Sequence, residues 1–185
     1  MTAIKSFAFI GPRAAGKSRL SRKFAKRIDW VLFSTDTLVS YEAGGLSPKE
    51  IVTKEGWPGF RKRETEVLIK VAPMKRVVID CGGGILVSTD ENEAEVVSTI
   101  KADLLRSNCT TIYIKRDIDW LLSREAESNH RPSLSADYKS VLKKRLPWYE
   151  QAADYTLDLS KRDASEGLAE LLDRFSSLVV QPLLP

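Results

Sequence analysis

The octapeptide Gly11-Pro12-Arg13-Ala14-Ala15-Gly16-Lys17-Ser18, directly after the apolar run Phe7-Ala8-Phe9-Ile10, constrains this chain more than any other segment. It has the G-x-x-x-x-G-K-[ST] form of a phosphate loop. Such a loop needs a strand ahead of it, to deliver the chain to a glycine-rich turn. It also needs a helix behind it, whose N-terminal dipole faces the same anion. Both are readable here, because Leu20, Phe24 and Ile28 recur at helical spacing after the loop. In this arrangement Lys17 reaches the outer phosphates of a nucleotide, and Ser18 offers a hydroxyl to Mg²⁺.

The remaining sequence repeats the same alternation. Short runs rich in β-branched or aromatic residues stand at Ser6–Ile10, Val31–Phe33, Val77–Ile79, Thr111–Ile114 and Tyr155–Leu159. Helix-length segments separate them, so the pattern predicts an α/β fold with a parallel sheet covered by helices on both faces. Helices are expected from Ser18 to Ile28, from Ser47, from Arg61 to Val71, from Glu91 to Leu105 and from Ser165 to Leu178. Ser47 begins its helix with a capping-box pattern, Pro48 first and Glu50 third. The apolar face of the Glu91–Leu105 helix is read as Val96, Ile100 and Leu104. The polar stretch Glu125 to Tyr138 has no steady period. A loop of that length suits a lid that excludes water.

Bulk properties narrow the class. A chain of 185 residues, 43% hydrophobic and 29% charged, is expected to form a single domain over 1–185. Its net charge of +4 suits an anionic ligand but is too mild to argue for nucleic acid. No apolar run approaches a membrane span, and no signal peptide is expected before the phosphate loop. The two cysteines, Cys81 and Cys109, lack metal-type spacing and read as small buried hydrophobes in a reducing, cytoplasmic setting. His130 is the single histidine, which leaves little for histidine-based chemistry.

Several positions at strand ends carry potential chemistry. Asp36 follows the second strand, where ligands of open parallel sheets bind. It could help deprotonate a hydroxyl or could cap the next helix. Asp80 ends the third strand and could hold Mg²⁺ or simply close the strand. Gly82-Gly83-Gly84 comes next, suited to a ligand's close approach or to a flexible turn. Arg61, Arg124, Arg131 and Arg145 could read anions, although each alone could be a surface charge.

These blocks together resemble the shikimate kinase family over nearly the whole chain. The matching blocks are Gly11–Ser18, Asp36, Gly56-Trp57-Pro58-Gly59-Phe60-Arg61 with Arg63-Glu64-Thr65, Gly82–Gly84, and Arg131-Pro132 followed by Arg145. The wording around Trp57 is most similar to the bacterial second isozyme. The resemblance implies a three-layer P-loop kinase fold with a five-stranded parallel sheet, a mobile lid at about 123–138 and a substrate-binding helical region at about 36–65. It implies transfer of the γ-phosphate of ATP, with Mg²⁺, to the 3-hydroxyl of shikimate by a cytoplasmic monomer. No nucleic acid or membrane partner is implied.

By the same resemblance, Gly11, Arg13, Ala14, Ala15, Gly16, Lys17 and Ser18 cradle the nucleotide, with Arg124 and Arg162 on its adenine side. Asp36 holds the shikimate hydroxyls as candidate base. Arg61 and Arg145 clamp the carboxylate, Gly82, Gly83 and Gly84 line the pocket beside Trp57, and Arg131 descends on the transferring phosphate. Lys17, Asp36 and Arg131 are thus the expected catalytic residues, with Ser18 and Asp80 at the metal.

The chain departs from the family pattern at three places. Ser34 replaces the first Asp of the usual Asp-x-Asp, which removes a carboxylate from the metal's surroundings and leaves Asp80 to supply one. Ala14 stands where glycine is common, and is expected to keep a negative φ. Cys81 stands where threonine is common. Two other readings remain: a kinase for another hydroxy acid such as gluconate, and a nucleotide-binding protein with little activity because of Ser34.

Overall fold

The computed structural model describes residues 5–126 and 137–179. Its centre is a parallel sheet of five strands: β1 (Ser6–Ile10), β2 (Val31–Ser34), β3 (Val77–Asp80), β6 (Cys109–Lys115) and β7 (Tyr155–Asp158), in the order β2-β3-β1-β6-β7. Every residue of β1 and β3 is buried, as strands covered on both faces require. Helix α1 (Lys17–Ile28) packs Leu20, Phe24 and Ile28 on one face of the sheet. There Phe24 meets Phe7 edge-on at 5.1 Å between ring centroids. Each such buried ring stabilises the fold by roughly 2–3 kcal/mol. Leu68, Ile79, Ile85, Leu105 and Tyr149 form the core on the opposite face.

Strand order explains where ligands can sit. The chain runs from central β1 out to edge β2, returns through β3, then crosses to β6 and β7 on the other side. The reversal beside β1 opens a crevice at the carboxyl ends of the strands. The phosphate loop leaves β1 and the triple glycine leaves β3 at that crevice, one on each neighbouring strand.

Local sequence explains most element boundaries. The Ser47 capping box is formed in full: the Ser47 amide donates to Glu50 Oε2 at 2.8 Å, and the Glu50 amide donates to Ser47 Oγ. Helix α3 (Pro48–Val71) then joins two segments expected separately, with a break at Gly56, where φ is +70°. Only glycine takes that conformation without strain. The kink sets the angle at which Trp57, Phe60 and Arg61 leave the second segment. At the other end of the chain, α7 (Ala164–Arg174) starts on an Asp163 capping box and stops at Phe175. A last turn, α8 (Ser176–Val179), follows, so the single closing helix expected to Leu178 is two.

The expectation of one helix from Glu91 to Leu105 is overturned. Strands β4 (Val87–Thr89) and β5 (Glu95–Val97) pair antiparallel as a separate hairpin, and α4 begins only at Thr99 and ends at Asn108. Asp90 nucleates the hairpin turn by accepting from the amides of Asn92 and Ala94. Ser98 then caps α4 by accepting from the Lys101 amide. The predicted face was misphased: Ile100 is 62% exposed, while Lys101 and Leu105 point inward.

Ala14 is a second correction. Its φ is +62°, in the left-handed region, rather than negative. For a residue with a Cβ that conformation costs about 1 kcal/mol.

Candidate functional site

Five segments converge on the crevice. From β1 comes the phosphate loop, in which Lys17 is 7% exposed and donates to the Pro12 carbonyl at 2.8 Å. The ammonium group is therefore held over the loop. From β2 comes α2 (Thr35–Glu42), whose first turn carries Asp36. Ser34 Oγ caps this helix by accepting from the Thr37 amide. The capping role open to Asp36 thus falls to Ser34, and the Asp36 carboxylate is left on the crevice.

A side chain on the triple glycine would displace the side chains packed against it. A Cβ on Gly82 would lie 2.2 Å from Asp36 Oδ1, and one on Gly84 would lie 2.0 Å from Arg61 Nη1. The backbone there packs directly on the two functional side chains. Gly82 also donates its amide to Thr35 Oγ1 at 2.8 Å, and the buried Tyr149 hydroxyl donates to the Gly83 carbonyl. Burial pushes that phenol up to about 12, so it remains a donor. The run is thus hydrogen-bonded to the fold at Gly82 and Gly83.

Helix α3 supplies Arg61, 4% exposed, with its guanidinium 4.9 Å from the centre of the Trp57 ring. Arg61 Nη1 donates to Glu64 Oε2 at 2.7 Å, and Lys101 Nζ approaches the same oxygen at 3.4 Å. Burial alone would raise the Glu64 carboxyl, but Arg61 and Lys101 outweigh it and hold it below the usual carboxylate range. The buried trio fixes Arg61 from behind. Its Nε is buried with no hydrogen-bond partner among the described residues. A buried donor left in that state suits an incoming anion.

Helix α6 (Tyr138–Ala152) supplies Arg145 from the opposite wall. A cleft results, with Asp36, Arg61, Gly84 and Arg145 in its lining and Trp57 at its side. Arg13 also lines it, so this phosphate-loop residue faces the same cleft as Arg61 and Arg145.

Asp80 closes β3 in register with Ser34 on one neighbour and Phe9 on the other. It is 8% exposed, and its Oδ1 has no hydrogen-bond partner among the described residues. Ser18 stands at the start of α1. No cluster of three or more His, Cys, Asp or Glu side chains able to hold a metal occurs among the described residues. One hydroxyl and one carboxylate could hold Mg²⁺ only together with waters and a ligand's phosphates.

On the far side of the phosphate loop, the Arg124 guanidinium lies 5.6 Å from the centre of the Trp120 ring. Arg162 pairs with Glu170 and donates to the Asp158 carbonyl. Arg116 was not singled out from sequence, yet it ties this region together. It stacks on Trp120 at 4.6 Å and donates to the carbonyls of Ala15, Leu159 and Arg162. Lys101 and Glu95 were not singled out either, and Glu64, part of a matching block, was given no role. The i,i+3 spacing of Arg61 and Glu64 was a readable signal. Arg131 and most of the expected lid fall outside the described residues.

Comparison with known proteins gives the chain's relatives. A family model described as shikimate kinase matches residues 13–176. The shikimate kinase of Leptospira biflexa is 40% identical over 166 residues, covering 89% of this chain and 92% of the relative. That of Leptospira borgpetersenii is 37% identical over 174 residues, covering 92% and 97%. Among solved structures, the fold resembles shikimate kinase from Acinetobacter baumannii in complex with shikimate, with a TM-score of 0.81, 24% identity and 96% of each chain covered.

Proposed function

The chain belongs to the shikimate kinase family, and from that premise we propose how its own residues carry the reaction, transfer of the γ-phosphate of ATP to the 3-hydroxyl of shikimate. The observation that carries this reading is the cleft that gathers Asp36, Arg61 and Arg145 with Arg13 of the phosphate loop. Arg61 and Arg145 bind the acceptor's carboxylate from two walls, and this anchoring turns its hydroxyl toward Asp36. Asp36 takes the hydroxyl proton as the oxygen attacks phosphorus and ADP leaves. Lys17 offsets charge on the outer phosphate oxygens. Arg131 completes that role when the lid at 123–138 closes and excludes water. Arg124 and Arg162 flank the adenine. The backbone of Gly11–Ser18 holds the phosphates, and Gly82–Gly84 brings main chain against the acceptor. Residues 1–185 act as one kinase domain, with 36–65 as its acceptor-binding region.

The test is ADP release with and without shikimate. Shikimate-dependent release is expected, with gluconate inactive. Nucleotide binding with no acceptor-dependent release would reject the kinase reading.

Ser18 and Asp80 would hold the magnesium, which when bound neutralises phosphate charge. The support is positional: parallel pairing sets Asp80 beside Ser34, so a carboxylate lost from β2 is present one strand over. Its buried, unpartnered oxygen can accept from a metal-bound water. In Asp80→Asn, the Mg²⁺ concentration that half-saturates calorimetric ATP binding is expected to rise about tenfold. An unchanged magnesium titration would remove Asp80 from the metal site.

We propose that the protein acts as a monomer. Light scattering of the eluting protein tests this. Cys81 and Cys109 are buried and unbridged, which supports a cytoplasmic setting. No helix among the described residues is long and apolar enough to cross a membrane.

A further inference from the structure

Both arginines of the acceptor cleft are engaged by carboxylates of the chain itself, and the two engagements differ in kind. Arg61 faces Glu64, which is 1% exposed and shared with Lys101. That carboxylate sits between two buried cations and cannot leave without stranding them. Arg145 faces Glu95 instead. Its Nε donates to Glu95 Oε2 at 2.9 Å and its Nη2 donates to Oε1, a two-pronged grip on one carboxylate. This is the geometry in which a guanidinium binds any carboxylic acid.

Glu95 is placed so that it can let go. Its side chain is 26% exposed, and it lies on the two-stranded hairpin of β4 and β5, which is not part of the main sheet. A hairpin of three-residue strands is marginally stable by itself. Its neighbours Val96 and Val97 are 37% and 42% exposed, so little apolar burial holds β5 down. A second, open cleft lies beside Glu95 and shares Trp57 and Arg61 with the acceptor cleft. Lys144 lines it and donates to the Glu95 carbonyl, so a released carboxylate has both room and a cation nearby.

We propose that Glu95 is an internal occupant of the acceptor-carboxylate position on Arg145, displaced when the acceptor binds. The proposal rests on the acceptor reading of the cleft given above. Glu95 then sets acceptor affinity without touching the acceptor. It keeps the buried guanidinium paired while the cleft is empty, and every carboxylate that binds must first displace it. Apparent affinity is the intrinsic affinity scaled by the fraction of molecules in which Arg145 is released.

The test is calorimetric titration of the full chain with shikimate, comparing wild type with Glu95→Gln. The amide keeps the side chain's size but loses the charge that grips Arg145. Shikimate is expected to bind the variant about fivefold more tightly, the scale of one part-exposed ion pair. ATP affinity should be unaltered. Glu95→Ala, melted in parallel to confirm folding, should shift shikimate affinity in the same direction. Weaker binding in both variants would mean that Glu95 orients Arg145 for the acceptor. Unchanged binding would mean that the pair does not compete. Either result overturns the proposal while leaving the kinase reading intact. A wild type that binds no shikimate, by contrast, would overturn the acceptor reading itself.

Discussion

Replacing Asp36 by Asn should lower kcat by about three orders of magnitude, within the range that a positioned general base supplies. The amide fills the same space against Gly82 and can still meet a hydroxyl, but it cannot take its proton. Structural damage should be slight, because the start of α2 is capped by Ser34 rather than by Asp36. The Thr35 contact to the Gly82 amide is also untouched. Single-turnover ADP formation at saturating shikimate is the measurement, with calorimetric shikimate affinity beside it. A fall of less than tenfold in kcat, with most of the loss in affinity, would make Asp36 an acceptor-holding residue and not the base.

Arg61→Ala should act on binding. The guanidinium has one buried donor in hand, its Nε, and lies against the Trp57 ring. Losing its charge-assisted bonds to a carboxylate costs about 3 kcal/mol, or roughly a hundredfold in shikimate affinity. ATP affinity should stay near wild type, since Arg61 lies on the acceptor side. The same change removes one of the two cations facing Glu64. Breaking such a buried pair costs about 3 kcal/mol in stability, a fall of about 10 °C in Tm for a chain of this size. Arg61→Lys keeps the charge and separates the two effects: stability should largely return, while shikimate affinity recovers only in part. Equal loss of ATP and shikimate binding would count against the clamp.

The parallel sheet was legible because its signals are local. Buried strands are short apolar runs, and the phosphate loop names both of its flanking elements. The Ser47 capping box was equally legible, since all its partners lie within four residues. What escaped depends on partners far along the chain. Lys101 reads as a helix-surface residue, and only Glu64 and the Val87 carbonyl make its burial tolerable. Glu95 was misplaced with its element: the apolar pair Val96-Val97 fits a helical period as well as a strand. The turn at Asp90 and the cap at Ser98 decided between them. Ala14 failed in the opposite sense, because the loop imposes a left-handed backbone whatever residue stands there. Of the site, Asp36, Arg61, Gly82–Gly84 and Arg145 were named from sequence and meet at one cleft. Their mutual contacts could not be read, because they join segments up to 109 positions apart (Asp36 to Arg145).

The order of the strands also carries a consequence for how the protein is made. Central β1 pairs with β3 and β6, so Ser6 finds its partner Cys109 only after more than half of the chain has been synthesised. Gly11, where the phosphate loop leaves β1, packs closely on the Ile114 carbonyl of β6. A nascent chain that ends before β6 therefore has the phosphate-loop sequence but no wall for it to rest on. Pairings this distant slow folding. Nucleotide binding should consequently arrive late and all at once, when β6 docks, rather than growing in step with the emerging chain.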